Sequence, residues 1–185
     1  MFKKFFKILF IFFTFSINLQ ANEIQFIINQ LIETDNITFD FEQSTNNKKE
    51  VGTCILVFDN KLSCDYKDSM QKKILINEKT LVVHQKKYDK VYFYPISNSP
   101  FIKIFNKSNL VNLIKKSDYK INNNIELTYI DQEKKKIIIF FEKDSYDLVG
   151  WKVVDQLQNI IDFSIKIKRV NSEINPKIFM IPQVN

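Results

Sequence analysis

The sequence is poor in the side chains from which catalytic and metal sites are built. Its 185 residues include one histidine, two cysteines, two glycines and four prolines. Two glycines, Gly52 and Gly150, exclude a glycine-rich loop that cradles phosphate. His84 sits alone in an apolar strand and reads as a packed or half-exposed residue rather than a base. No second histidine or cysteine stands at zinc-ligand spacing, so neither a metal nor a cofactor is expected. No nucleophile–base pair can be named, and acidic pairs such as Glu142 and Asp144 are ordinary at strand ends. The expectation is therefore a protein that is not an enzyme; a hydrolase is the catalytic alternative, with no feature in its favour. Every basic residue but Arg169 is lysine, and no basic stripe alternates with stacking aromatics, so no nucleic acid partner is expected.

A long apolar run is also lacking. Met1 to Lys7 is a basic stretch, Ile8 to Ile17 is uncharged and apolar, and Leu19-Gln-Ala21 resembles a small-residue cleavage site. The run falls short of the roughly 20 residues a bilayer core requires, which favours a cleaved signal peptide (residues 1–21) over a membrane anchor. Asn22 occupies the position where a lipid-modified cysteine would follow. Export with cleavage near Ala21 predicts a soluble chain outside the cytoplasm with a single domain over residues 22–185. Loss of Lys3, Lys4 and Lys7 takes the formal charge from +6 to +3, a mild imbalance.

What the sequence does have is period-2 alternation. Ile37–Gln43, Gly52–Phe58, Lys61–Tyr66, Lys73–Ile76, Thr80–His84 and Lys90–Tyr94 are rich in β-branched and aromatic residues and separated by short polar breaks. They predict an antiparallel meander with one dry face. Strands resume at Ile125–Ile130, Lys136–Glu142, Gly150–Asp155 and Asn159–Val170. Asn22–Glu33 places Ile24, Ile27, Ile28, Leu31 and Ile32 on one helical face. Pro100–Lys116 reads as a short helix or two broken turns, apolar on one side, with Ser108 or Asn109 as cap. Phe179–Pro182 reads as an extended tail, and Gly52, inside a strand, as a bulge or a close approach. Export sets Cys54 and Cys64 in an oxidising compartment. A hairpin turning at Asp59-Asn60 pairs Cys54 with Cys64 and Leu56 with Leu62, within disulfide reach. Two buried free thiols are the alternative.

The fold class expected from these segments is mainly β: about ten strands in two runs forming a curved antiparallel sheet, with one helix before and one between. Eighteen phenylalanines, several of them in the leader, fit either an ordinary core or a greasy cavity between sheet and lid.

Five segments in order resemble the periplasmic outer-membrane lipoprotein carrier family, LolA. Phe39-Asp-Phe41-Glu-Gln43 looks like its F-x-Q strand, and Ile74-Leu-Ile-Asn-Glu-Lys-Thr-Leu81 like its I-L-V-S-D-G-K-T-L hairpin. Ser99-Pro-Phe-Ile-Lys-Ile104 is similar to T-P-F-x-L-I, Leu148–Asp155 to the G-W-x-V-x-D strand, and Phe179–Pro182 to the terminal F-x-x-P. The resemblance implies a strongly curved, incompletely closed antiparallel barrel of about 10–11 strands, with an N-terminal helix and a mid-chain helical lid over an apolar interior that shields lipoprotein acyl chains in the periplasm. The implied route runs from an inner-membrane lipoprotein-releasing ABC transporter to an outer-membrane acceptor, receptor or bilayer, with the carrier acting as a monomer. The residues expected to line cavity and lid are Phe39, Phe41, Leu56, Phe58, Leu62, Ile74, Ile76, Val91, Phe93, Phe101, Ile104, Phe105, Leu110, Leu113, Phe140 and Trp151. One departure concerns the hairpin that reads R-P-G-x-F-R-W-x-Y in the family. Here Phe58 replaces its leading arginine, which helps latch the lid, and Cys64 replaces its tryptophan. Lys61 and Tyr66 are the candidates on that hairpin for the arginine's work. Carriage of another lipid or glycolipid, or a non-catalytic envelope assembly subunit, are the alternative readings.

Overall fold

The computed structural model describes residues 18–46, 48–58, 60–78, 80–96, 102–132, 134–154 and 159–182, with side chains from Glu23. The predicted signal peptide falls largely outside these residues, as does Phe101 of the predicted lid.

Two meanders share one sheet. The first comprises β1 (Asn36–Thr45), β2 (Lys48–Val57), β3 (Lys61–Tyr66), β4 (Lys72–Asn77), β5 (Thr80–Gln85) and β6 (Lys90–Pro95). The second comprises β7 (Asp118–Ile121), β8 (Ile125–Ile130), β9 (Lys136–Phe141), β10 (Leu148–Val154) and β11 (Ile160–Val170). They join where the long strands β1 and β11 pair antiparallel, with Phe41 opposite Ile165 and Gln43 opposite Phe163. The order is β6-β5-β4-β3-β2-β1-β11-β10-β9-β8-β7, eleven strands with β6 and β7 as unjoined edges. The antiparallel meanders follow the alternation, and the unclosed sheet is the incompletely closed antiparallel barrel that the resemblance implied.

Register decides which residues share the inner face. Ile37, Phe39 and Phe41 on β1 face Leu56, Cys54 and Gly52 on β2. Those in turn pair with Leu62, Cys64 and Tyr66 on β3, and Cys64 with Ile74 on β4. The predicted pairing of Cys54 with Cys64 and Leu56 with Leu62 is therefore the observed one, and the two cysteines are bridged. Gly52 is a close approach rather than a bulge: a Cβ there would lie 2.3 Å from the Asp65 carbonyl oxygen and 2.7 Å from the Phe41 ring. On the second meander Trp151 faces Ile139 and Phe163, and Ile139 faces Leu127.

Three helices fill the hollow of the sheet. Helix α1 (Asn18–Glu33) buries Ile27, Ile28 and Leu31. It begins four residues earlier than expected, because Leu19, Gln20 and Ala21 are good helix formers with no breaker before Asn22. The mid-chain segment is two helices, α2 (Ile102–Phe105) and α3 (Lys107–Lys115), broken at Asn106. Asn106, not Ser108 or Asn109, is the cap: its extended backbone turns the carboxamide oxygen onto the Asn109 amide at 2.9 Å. Ile104, Phe105, Leu110, Leu113 and Ile114 are all buried beneath these helices.

Two further differences appear. Strand β7 was not expected, since only Tyr119 and Ile121 carry its apolar pattern. The tail at Phe179 is not extended; Pro176–Phe179 forms a 3₁₀ turn capped by Asn175, whose side chain accepts from the Lys177 amide at 3.0 Å. Phe179 is buried against β3 and β4 on the outer face, where Ser63, Leu75 and Val82 are buried as well.

Candidate functional site

Between the inner face of the sheet and Phe105 of α2 lies an apolar cavity of about 180 Å³. Of the residues expected from the sequence, Phe39, Leu62, Ile74, Ile76, Phe105 and Trp151 line it. The Cys54–Cys64 disulfide forms part of the same wall. Phe41 stacks on Phe163 and meets the edge of Tyr66, at 4.8 Å between centroids in both cases. Leu56, Phe58, Ile104, Leu110 and Leu113 are buried in the surrounding core.

Three expected members are misplaced. Val91 and Phe93 project from the outer side of β6, because Tyr92 and Tyr94 pair with the inner-face residues Val83 and Leu81. Phe93 is 53% exposed. Phe140 likewise faces outward, with the Lys152 ammonium 5.8 Å from its ring, while its neighbours Ile139 and Phe141 face in. Phe101 lies outside the described residues.

Sequence reasoning missed the polar end of the cavity. Gln43, Tyr66 and Lys72 line it alongside Leu81, Ile161 and Phe163. Tyr66 donates its hydroxyl to Gln43 Oε1 at 2.8 Å, and the Lys72 ammonium lies 3.8 Å from the Tyr66 ring centroid. Lys72 also binds Glu50 Oε1 at 2.8 Å, with both side chains mostly buried. Burial by itself would push the Glu50 carboxyl up, but hydrogen bonds and charge from Lys72 and Lys48 outweigh it and hold the group below the usual carboxylate range. Burial, aided by the Glu50 and Asp68 carboxylates, raises the Tyr66 phenol well above its ordinary value.

Several described polar contacts tie the lid down, among them Lys103 on α2, which donates to the largely buried Asp131 carboxylate at 3.2 Å. The Asn60 amide, at the tip of the β2–β3 hairpin, donates to the Phe105 carbonyl at 3.3 Å. Lys107 at the start of α3 donates to the Ile32 carbonyl at 3.0 Å and to Asp35 at 3.2 Å, and passes 5.9 Å from the Phe58 ring. Lys61 is on the outer face beside Phe179, and Tyr66 donates to Gln43, so the described contacts turn both candidates away from the lid. A second cavity of about 200 Å³ lies under α1, where Gln30, Asp147 and Asn171 mix with Leu31, Ile37 and Phe58. His84, on the outer face of β5, sits 3.5 Å from the Asp89 carboxylate. Among the described residues, no group of three or more His, Cys, Asp or Glu is placed to hold a metal ion, and no helix is long and apolar enough to cross a membrane.

Residues 33–182 match the family model described as outer membrane lipoprotein carrier protein LolA. This chain belongs to the LolA family. Membership places it in a superfamily of periplasmic proteins that bind lipids or lipoproteins, a family of carriers and binding proteins. Solved structures share the fold at low identity. One is an uncharacterized conserved protein from Thermus thermophilus, with 9% identity, coverage of 89% of this chain and 95% of that one, and a TM-score of 0.51. Another is the Pseudomonas aeruginosa MucA/MucB complex, with 11% identity, 89% and 64% coverage, and a TM-score of 0.50. A LolA superfamily protein from Nitrosomonas europaea is 9% identical over 85% and 97%, with a TM-score of 0.43. No curated protein matches the chain. As a LolA-family chain it departs from the expected hairpin as the sequence indicated: Phe58 is buried where the resemblance places an arginine, and Cys64 is bridged where it places a tryptophan.

Proposed function

We propose that this LolA-family protein is a monomeric periplasmic carrier that shields lipoprotein acyl chains released from the inner membrane by an ABC transporter. It delivers them to an outer-membrane acceptor, either a receptor or the bilayer itself. The observation that carries this reading is an apolar cavity covered by a short helical segment whose apolar face is buried over it. At about 180 Å³ the cavity is near the ~150 Å³ that accommodates one benzene, so a full acyl chain enters only when the lid moves.

The energetics favour a lid that yields. One acyl chain of about 14 methylenes is worth on the order of 11 kcal/mol when buried, at about 0.8 kcal/mol per methylene. Three such chains would exceed the strongest non-covalent affinities known, so release requires an opposing term. Return of Ile104, Phe105, Leu110 and Leu113 to the sheet supplies one.

The test is mass spectrometry of what co-purifies with the protein from its own periplasm, followed by displacement with a fluorescent acyl probe. The expected cargo is triacylated lipoprotein. Phospholipid or glycolipid alone would support carriage of another lipid. A cavity that excludes acyl probes under all conditions would overturn the carrier reading.

A second reading draws on edge strand β6, whose Tyr92, Phe93 and Tyr94 are exposed and whose outer edge lacks a partner strand in the sheet. An envelope assembly subunit would pair a protein partner there. Stable co-elution of one protein without bound lipid would favour it.

A further inference from the structure

From the polar groups on the cavity wall we infer that the site recognises the ester or amide carbonyl of an acyl chain, as well as its hydrocarbon. This inference rests on the carrier reading. Trp151 is 2% exposed, with its ring stacked on Phe163 at 4.6 Å and set edge-on to Phe105 at 6.0 Å. Its indole N–H is buried and has no hydrogen-bond partner among the described residues. An unpaired buried donor costs free energy that a hydrogen-bonding ligand recovers.

The rest of the wall has the same polarity. Lys72 carries three N–H donors, of which Glu50 takes one. Gln43 uses one amide N–H on Thr45 at 3.2 Å, and its oxygen already accepts from Tyr66. The wall therefore offers donors while its side-chain carbonyl is engaged, and its complement is a ligand that brings acceptors. Among the aromatic rings beside Trp151 a full negative charge is poorly solvated, which favours a neutral carbonyl over a carboxylate there. Lipoproteins and diacyl membrane lipids both carry such carbonyls next to their chains.

The experiment titrates the intact mature protein with an ester-linked hexadecanoyl probe and with the ether-linked probe of equal length. Trp151 is the sole tryptophan, so its emission reads the site directly. The ester is expected to bind about tenfold more tightly, the equivalent of one good hydrogen bond, with a red-shift of Trp151 emission that the ether does not produce. In Trp151→Phe, read by probe displacement, both chains still bind and the ester loses its advantage. The wild-type comparison stands even if that variant fails to fold. A triacylated lipopeptide competed against diacyl phosphatidylglycerol then shows which source supplies the carbonyl, and either winner supports the subsite. Equal binding of ester and ether would overturn the carbonyl subsite and leave carriage intact. Binding of neither would remove the carrier reading and this inference with it.

Discussion

Truncating Phe105 should move stability and acyl affinity in opposite directions. The ring is 4% exposed and closes the cavity against Trp151. A phenylalanine of this size buries about 200 Å², which at about 25 cal/mol per Å² gives an upper bound near 5 kcal/mol. Large-to-small aromatic truncations in cores cost about 3–5 kcal/mol, and a site that already borders a cavity belongs at the lower end. If Phe105 is a plug, that loss falls on the closed, empty state. The loaded state, in which the ring contacts acyl methylenes instead, keeps roughly half of the burial. About 1.5 kcal/mol then remains in favour of loading, or roughly a tenfold gain in affinity. Phe105→Ala should therefore lower the melting temperature and tighten binding of a fluorescent acyl probe about tenfold. Affinity that falls along with the melting temperature would mean Phe105 is a fixed part of the binding wall, and the lid argument would be wrong.

Three other perturbations test separate parts of the structure. Replacing Cys54 and Cys64 by alanine, or reducing the bridge, opens a loop of sequence separation 10 and should cost about 2–3 kcal/mol without unfolding the sheet, as read by denaturant titration. Register there is also set by the Leu56–Leu62 pair, so a shift to an unfolded baseline would show that the hairpin depends on the bridge alone. Gly52→Ala forces a Cβ against the Asp65 carbonyl and the Phe41 ring and should destabilise by about 3 kcal/mol; a change within error would contradict the observed strand approach. Glu50 has a lowered pKa, so its contribution is present above the ordinary carboxylate pKa and is lost as pH falls below it. Tyr66 has a raised pKa, so its contribution is intact below about pH 10 and is lost as pH climbs past that. Denaturation midpoints across pH should show both limbs, with Glu50→Gln flattening the acid one and Tyr66→Phe the alkaline one.

The legible parts of the fold were those where apolar and polar residues truly alternate. Gly52-Thr-Cys-Ile-Leu-Val and Lys61-Leu-Ser-Cys-Asp-Tyr fix one register, and the observed pairing follows it. Where a strand is apolar throughout, alternation carries no phase. Ile137-Ile-Ile-Phe-Phe141 gives no means of telling Phe140 from Phe141, and Val91-Tyr-Phe-Tyr94 none of telling Phe93 from its neighbours. Only pairing with Ile125 and Leu127, or with Leu81 and Val83, settles which side faces in. The polar lip was hidden for the converse reason. Gln43, Glu50 and Lys72 look like wet-face residues until register places them in line with Phe41, Gly52 and Ile74.

The latch illustrates how a family device is replaced without loss of the fold. An arginine on the hairpin would cross to the lid with several charged hydrogen bonds, a strong tie that loosens when its acceptors are taken away. Here the hairpin contributes a backbone amide, held toward Phe105 by the left-handed Asn60 with φ of 75°, a conformation asparagine tolerates. Charged ties come from the lid itself: Lys103 of α2 binds the largely buried Asp131, and Lys107 of α3 reaches the end of α1 and passes over Phe58. Asp35 is largely exposed, so that ion pair is screened and contributes little, and the Lys107–Ile32 carbonyl bond is the stronger half. The lid is held both by these polar contacts, of which the Lys103–Asp131 pair is the more buried, and by apolar burial of Ile104, Phe105, Leu110 and Leu113. Hydrocarbon entering the cavity competes for the same kind of contact. On the carrier reading proposed above, cargo would displace this apolar part of the closure, while the Lys103–Asp131 pair would have to break or move with α2.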